Sequence, residues 1–192
     1  MTQHAGSTRA SLSFAPKGLV ATLATAFAGS LLLTVSAKVS IPFYPVPMTL
    51  QTLALLVLGF TLGPRCAAAA VLLYLAQGAA GLPVFSGTPA KGIGLAYMAG
   101  PTGGFLVGFL ASAWLAGWFA LRGWTQDLWR AVPAALIAQA VVFIPGLFWL
   151  GLLLGFDKPV LAWGLYPFVL GGIVKSLLAA AIAVALTPRP RS

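Results

Sequence analysis

The sequence predicts an all-α membrane protein that crosses the bilayer with six helices and keeps both termini in the cytoplasm. Charged residues make up only 7% of its 192 residues, against roughly 25% in a typical soluble domain. Asp127 and Asp157 are its only acidic residues, and 60% of the chain is hydrophobic. Since a membrane helix needs about 20 mostly apolar residues, the length leaves room for roughly six. We therefore expect a multi-pass protein of the cell membrane.

The first three apolar segments are separated by an irregular loop and a tight turn. The first covers residues 18–37, after a polar N-terminal tail of residues 1–17. Three prolines prevent a helix in the next loop, residues 38–49, because proline lacks the backbone N–H and clashes with the preceding turn. The second segment, residues 50–62, is short for a crossing, and the third covers residues 66–81.

Three further apolar segments complete a single membrane domain, residues 18–186. They cover residues 101–121, 131–154 and 164–186. A long Gly- and Pro-rich stretch, residues 82–100, precedes the first of them. Residues 187–192 form a short cytoplasmic C-terminal tail.

The distribution of basic residues predicts the orientation. A cytoplasmic N-terminus places seven of them inside: Arg9, Lys17, Arg65, Arg122, Arg130, Arg189 and Arg191. Only Lys38, Lys91 and Lys158 are then outside, in agreement with the excess of Lys and Arg in cytoplasmic loops. The basic residues lie mostly in loops and tails, so the net charge of +9 does not indicate a nucleic-acid ligand. The longer, irregular loops face outside, and we expect a binding site there.

The composition argues against an enzyme. No acidic residue lies within a predicted span, and the one histidine, His4, belongs to the N-terminal tail. The chain therefore lacks a carboxylate pair or a nucleophile–histidine pair for catalysis. With Cys66 as its one cysteine, it has no internal disulfide and no cluster for a metal, and we expect no cofactor. It also has no Walker sequence, so it does not hydrolyse ATP itself.

Lys175 is the leading candidate for a ligand contact, because it lies near the middle of the sixth predicted span. A lysine at that depth costs about 2.5–3.5 kcal/mol on insertion scales and usually marks function. Snorkelling to the membrane surface is the alternative, but the reach is long. We expect Lys175 to hold the carboxylate of a ligand.

Other candidates lie in the outer loops and near the outer ends of spans. They are Phe43, Tyr44, Thr49, Gln51, Phe85, Ser86, Tyr97, Gln139 and Trp163. The aromatic residues could equally form an interfacial belt, and Gln139 could hydrogen-bond another helix. Gly100, Thr102 and Gly103 open the fourth span, where free backbone N–H groups suit a polar or anionic group; close helix packing is the alternative. Ala24 and Ala28 place small residues four apart on the first span, for close approach by a partner helix or by this chain itself.

Several blocks resemble the BioY family, the biotin-specific substrate-binding components of energy-coupling-factor (ECF) transporters. They are residues 41–53 (IPFYPVPMTLQTL), 62–65 (LGPR), 72–85 (LLYLAQGAAGLPVF), 100–105 (GPTGGF) and 167–175 (PFVLGGIVK). The resemblance implies six helices and a biotin site near the outer surface, capped by the first and third loops. The chain departs from the family pattern at Gly172, where that pattern has an aspartate three residues before the lysine.

The resemblance implies high-affinity biotin capture and uptake, with the candidates above as the binding site and the Pro-rich first loop closing over the ligand. It also implies partners, namely a transmembrane coupling protein docked at Ala24 and Ala28 and two ATPase subunits. A stand-alone biotin carrier is the alternative, since nothing in the chain proves a partner. Whether the chain forms a homo-oligomer is left open, and an intramembrane enzyme is disfavoured by the missing acid–base groups.

Overall fold

The computed structural model describes residues 18–187, and these residues are mostly helical. The helices are α1 (Leu19–Lys38), α2 (Gln51–Leu62), α3 (Pro64–Ala79), α4 (Gly94–Met98), α5 (Gly103–Leu121), α6 (Leu128–Val141), α7 (Phe143–Leu154), α8 (Val160–Gly164) and α9 (Tyr166–Leu186). Two-residue strands, β1 (Ser40–Ile41) and β2 (Met48–Thr49), pair antiparallel in the loop between α1 and α2. The predicted tail 1–17 and residues 188–192 of the predicted tail 187–192 lie outside the described residues.

Within residues 18–187, four helical segments are long and apolar enough to cross a membrane. They are Leu19–Lys38, Gly103–Leu121, Leu128–Leu154 and Val160–Leu186. Helix α2 has 12 residues and spans about 18 Å at 1.5 Å per residue, which is less than the ~30 Å of a hydrocarbon core. The fold is therefore that of a mostly helical membrane protein with four long apolar segments among the residues described.

Helix α2 lies at the centre of the bundle and packs against α5, α9, α3 and α1. Small residues allow the close approach. A Cβ added at Gly59 of α2 would lie 2.6 Å from the Cβ of Ala116 on α5. In the same way, a Cβ at Gly29 of α1 would lie 2.7 Å from the Cβ of Ala70 on α3. Because α2 is shielded by its neighbours, most of its side chains are buried, including the polar Gln51 and Thr52.

Prolines explain several helix boundaries that differ from the predicted spans. The predicted fifth span is two helices, α6 and α7, which meet at Val142. Pro145 lacks the N–H that would bond to the carbonyl of Val141, so the helix is interrupted there. Pro64 occupies the first turn of α3, and Pro167 does the same in α9, which suits their fixed backbone angle. The predicted start of the fourth span at Pro101 is wrong, since α5 begins at Gly103.

Candidate functional site

A cavity lies at the end of the bundle where the 39–50 and 80–102 loops meet the helices. It has only about 40 Å³ of room for water-sized molecules, well below the ~300–1,000 Å³ typical of small-molecule sites, so its walls must move apart to admit a ligand. The lining residues are Val46, Pro47, Thr49, Gln51, Thr52, Tyr74, Ser86, Tyr97, Thr102, Phe105, Leu106, Phe109, Gln139, Val142, Phe143, Phe168 and Lys175. Both loops and helices α2 to α7 and α9 contribute to this wall.

Lys175 of α9 lines the cavity and is only 8% exposed. Its Nζ donates a hydrogen bond to the carbonyl oxygen of Thr49 at 3.0 Å, and no ion pair to it is found among residues 18–187. Because the ammonium lies inside the bundle, the alternative that Lys175 snorkels to the membrane surface is wrong. An ammonium has three N–H donors, and Thr49 accepts from one of them. The other two have no partner among residues 18–187 and are available to a ligand.

A chain of hydrogen bonds fixes the wall opposite α9. The Gln51 Nε2 donates to the Tyr74 hydroxyl at 2.8 Å, and that hydroxyl donates to the carbonyl of Val84 at 3.4 Å. The Thr49 hydroxyl donates to Gln51 Oε1 at 3.2 Å. These bonds connect the 39–50 loop, α2, α3 and the 80–102 loop, so the polar side chains of this wall have fixed positions.

Three buried side-chain oxygens in the cavity wall have no hydrogen-bond partner in the structure. They are Thr52 Oγ1, Ser86 Oγ and Gln139 Oε1. Most buried polar groups in proteins are hydrogen-bonded, and leaving one unpaired costs roughly 1–3 kcal/mol. Buried oxygens of Gln77, Ser112 and Ser176 are also unpartnered but lie outside the lining, so the three at the cavity are available to a ligand with its own polar groups without requiring one. Gly172 faces the same region, since a Cβ added there would lie 3.5 Å from Gln139 Nε2.

Aromatic rings supply the apolar part of the cavity. The ring of Phe105 lies 6.2 Å from that of Phe143 and 6.4 Å from that of Phe168. Phe43, in the loop after α1, packs edge-on against Phe168 at 6.1 Å. Rings at these spacings form a stable apolar surface. The cavity thus combines a hydrophobic side with a cation and a few polar groups, as small-molecule sites generally do.

Tyr97 connects the short helix α4 to the cavity. Its ring stacks on Phe85 with centroids 4.8 Å apart. Burial raises the pKa of the Tyr97 hydroxyl, against the opposing effect of its hydrogen bond with Thr102. The hydroxyl is therefore protonated at physiological pH and can act as a neutral hydrogen-bonding group at the cavity wall.

The structure brings seven of the predicted ligand contacts into the cavity lining. They are Thr49, Gln51, Ser86, Tyr97, Thr102, Gln139 and Lys175. Phe43 and Phe85 do not line the cavity themselves, but they pack against two rings that do, those of Phe168 and Tyr97.

The other four predicted contacts neither line the cavity nor pack against its rings as Phe43 and Phe85 do. Tyr44 is 86% exposed. A Cβ at Gly100 would lie 3.1 Å from the carbonyl oxygen of Tyr97, and a Cβ at Gly103 would overlap the carbonyl of Met98, so close packing accounts for both glycines. Trp163 packs against the hydrophobic core.

The predicted docking residues Ala24 and Ala28 are exposed on α1. The buried face of the same helix carries Ala26, Gly29 and Leu33 instead. Ala24 and Ala28 therefore do not pack against the rest of residues 18–187, which leaves their face open to lipid or another protein as far as those residues are concerned.

Ten lining residues were not among the predicted contacts. They are Val46, Pro47, Thr52, Tyr74, Phe105, Leu106, Phe109, Val142, Phe143 and Phe168. Two carried a signal in the sequence, because Tyr74 is a polar residue inside an apolar segment and Thr52 follows Gln51 in another. Val46, Pro47, Phe105 and Phe168 fall within the blocks that resemble the BioY family, but hydrophobicity alone marked none of the apolar residues, since it does not distinguish a side chain that faces a cavity from one that faces lipid.

Comparison with known proteins agrees with these features. The sequence model of the BioY family matches residues 6–191. The probable biotin transporter BioY of Pyrococcus horikoshii is 35% identical over 79% of this chain and 87% of its own length. The biotin transporter BioY of Thermotoga maritima is 34% identical over 81% of this chain and 89% of its own.

A solved structure is also similar. It is the S-component for biotin from an ECF-type ABC transporter, which superposes with a TM-score of 0.72 at 27% identity and covers 87% of this chain and 90% of its own. The resemblance indicated by the sequence motifs is confirmed, and so is the expectation of a transporter rather than an enzyme. The chain belongs to the BioY family.

Proposed function

We propose that this chain binds biotin in the cavity and supports its uptake as the membrane substrate-binding component of an ECF transporter in the cell membrane. The buried ammonium of Lys175 is the observation that carries this proposal. The two acidic residues of the whole chain lie elsewhere, with Asp127 3.6 Å from Arg130 and Asp157 3.1 Å from Lys158. Because the chain has no carboxylate for Lys175, an anionic ligand is the natural counter-ion.

Biotin matches the remaining groups of the cavity. Its carboxylate would pair with Lys175. Its ureido ring carries two N–H donors and a carbonyl acceptor, which suit the unpartnered oxygens of Thr52 and Gln139. Its sulfur-containing ring and aliphatic chain would lie against Phe105 and Phe168. Burial of that apolar surface adds about 25 cal/mol per Å².

The 39–50 loop is the proposed gate. Met48 lies over α9, where a Cβ at Gly171 would be 2.7 Å from its Sδ, and Thr49 accepts the hydrogen bond from Lys175. Both contacts hold the loop over the cavity. Thr49 occupies only one of the three Lys175 donors. A ligand carboxylate reaches the other two by entering between this loop and α9, so we expect the loop to move when biotin enters.

We also propose six crossings with cytoplasmic termini. The crossings would be α1, α2, α3, α5, α6–α7 and α8–α9. The short α2 would complete its crossing with the 45–49 part of the preceding loop, which is buried or half-buried and is therefore tolerated at membrane depth. Among the described residues, Lys38, Lys91 and Lys158 lie at the cavity end, and Arg65, Arg122 and Arg130 lie at the other. These described residues divide evenly, so the proposed orientation depends on the tails, whose Arg9, Lys17, Arg189 and Arg191 bring the cytoplasmic count to seven against three and favour a cavity that faces outside.

Titration of the purified protein with biotin tests the role of Lys175. Replacement of Lys175 by Met removes the cation and retains most of the volume, and we expect biotin affinity to fall by 100-fold or more, about 2.7 kcal/mol. Lys158→Met is the matched control, because Lys158 is exposed and paired with Asp157; its affinity should equal that of the wild type.

Biotin methyl ester identifies which end of biotin contacts Lys175. If the ammonium holds the carboxylate, the ester binds the wild type much more weakly than biotin does, and Lys175→Met binds the two equally. If both ligands lose the same factor in Lys175→Met, Lys175 instead contacts the ureido ring. An unchanged affinity for biotin in Lys175→Met would remove Lys175 from the site.

A further inference from the structure

Lys38 is the last residue of α1, and all three N–H donors of its ammonium group bind one short segment of the 80–102 loop. Its Nζ donates to the carbonyl of Pro83 at 2.6 Å, to the carbonyl of Phe85 at 2.9 Å and to the Thr88 hydroxyl at 3.1 Å. An ammonium has three donors, and all three are occupied. An exposed lysine is otherwise solvated and mobile, so this arrangement indicates a specific function.

The segment that Lys38 holds, residues 83–88, is also fixed from the cavity side. The carbonyl of Val84 accepts from the Tyr74 hydroxyl at 3.4 Å. The ring of Phe85 lies edge-on to Tyr74 at 5.4 Å and is stacked on Tyr97. Lys38 and Tyr74 therefore bind the carbonyls of successive residues from the two sides of the segment.

The 83–88 segment contributes directly to the cavity. Ser86 lines it, and Phe85 supports Tyr97, which lines it too. Release of the segment would move Ser86 and remove the ring on which Tyr97 is stacked. Lys38 itself does not line the cavity.

We propose that Lys38 is a positioning residue for the ligand site, which holds the 83–88 segment closed against the end of α1. The effect on biotin rests on the proposed function, whereas the closure of the segment does not. Lys38 acts through its donors rather than its volume. Lys38→Arg retains N–H donors and so keeps the 83–88 segment mostly closed. Lys38→Met retains only the apolar stem and releases the segment.

Binding kinetics form the first test. We expect Lys38→Met to raise the dissociation rate of biotin by about 10-fold, or ~1.4 kcal/mol, because the wall opens more often. Lys38→Arg should stay within about threefold of the wild type, since charged donors to the carbonyls remain. Thr88→Val removes one of the three acceptors and should give an intermediate rate. Lys158→Met, in another loop of the same end, should leave the rate unchanged.

Cysteine labelling tests the segment without biotin. Ser86→Cys is placed in a Cys66→Ser background, and its reaction rate with a charged maleimide is measured in the full chain. We expect Lys38→Met to raise that rate several-fold and Lys38→Arg to leave it near the parent value. If the wild type bound no biotin, the proposed function would fail, and the labelling rates would still decide the role of Lys38. Equal labelling and equal dissociation rates in Lys38→Met and the wild type would overturn it.

Discussion

Gly172 and Lys175 lie one helical turn apart on α9, and together they determine the charge of the cavity. Glycine at position 172 leaves Lys175 without a carboxylate from the protein. A Cβ at this position would make ordinary contacts with the Gln139 side chain, at 3.5–3.8 Å, so a small side chain fits without displacing its neighbours. A small charged side chain at position 172 would therefore change the charge of the cavity with little change in its shape.

We expect Gly172→Asp to tighten biotin binding by about 10-fold. A carboxylate at this position accepts from the ureido N–H groups, and charge-assisted hydrogen bonds are roughly twice as strong as neutral ones. Gly172→Ala is the control and should bind biotin within about twofold of the wild type, because its methyl group adds no acceptor. Calorimetric titration of the wild type and the two variants with biotin measures these affinities. Weaker binding by the aspartate variant would show that it competes with biotin for Lys175.

Two glycines of α5, Gly104 and Gly108, allow this helix to pack closely against the region where α6 meets α7. A Cβ at Gly108 would lie 2.6 Å from the carbonyl oxygen of Val142, at the junction of α6 and α7. At Gly104 the added atom would overlap the carbonyl of Pro145. Backbone atoms cannot yield as a flexible side chain can. The aromatic cavity wall at the start of α5 thus depends on glycines that hold α5 and α7 together.

Gly108→Ala is therefore expected to destabilise the protein by about 1–3 kcal/mol, as overpacking of a core commonly does. Gly172→Ala is a matched control in another helix. Its methyl group fits, and alanine is favoured over glycine in helices by up to ~1 kcal/mol, so stability should hold or rise. Thermal unfolding in detergent, followed by circular dichroism, compares the two. A melting temperature for Gly108→Ala equal to or above that of Gly172→Ala would contradict this packing.

Composition and prolines were enough to predict most of the helical segments. Hydropathy placed α1 within a residue of its bounds at Leu19–Lys38, and the prolines predicted the irregular loop before α2. The interruption at Val142 was not predicted although Pro145 lies inside the segment, because a membrane helix can continue past a proline and hydropathy alone does not distinguish the two outcomes.

The site was predictable where a polar side chain stands in an apolar segment. Lys175 and Gln139 were recognised on that basis, and Gln51 by its place at the end of the Pro-rich first loop. Phe105 and Phe168 became recognisable as parts of the wall only when the helices were assembled, because their neighbours in space are distant in the chain.

For the whole molecule, the exposed face of α1 is the surface where we propose a coupling protein docks. Ala24 and Ala28 leave a shallow area between larger exposed side chains such as Leu23 and Phe27. A second helix can approach closely at such small residues. The cavity opens among loops at one end of the bundle, so docking at this face and ligand binding use different residues.

Ala28→Trp is expected to leave biotin binding by the isolated chain unchanged and to abolish its association with the coupling protein and ATPase subunits. Leu170→Trp on α9 is the control, since Leu170 is 75% exposed and lies on another helix. Co-purification from detergent, with labelled-biotin uptake in the same cells, measures both effects. Full uptake by Ala28→Trp in cells without the ATPase subunits would favour the stand-alone carrier.

The structure of the protein with biotin bound tests the central claim most directly. The account predicts biotin in the cavity between the 39–50 loop and α9, with a carboxylate oxygen within about 3.2 Å of Lys175 Nζ. Biotin found at another surface, with the Lys175–Thr49 hydrogen bond intact, would contradict it.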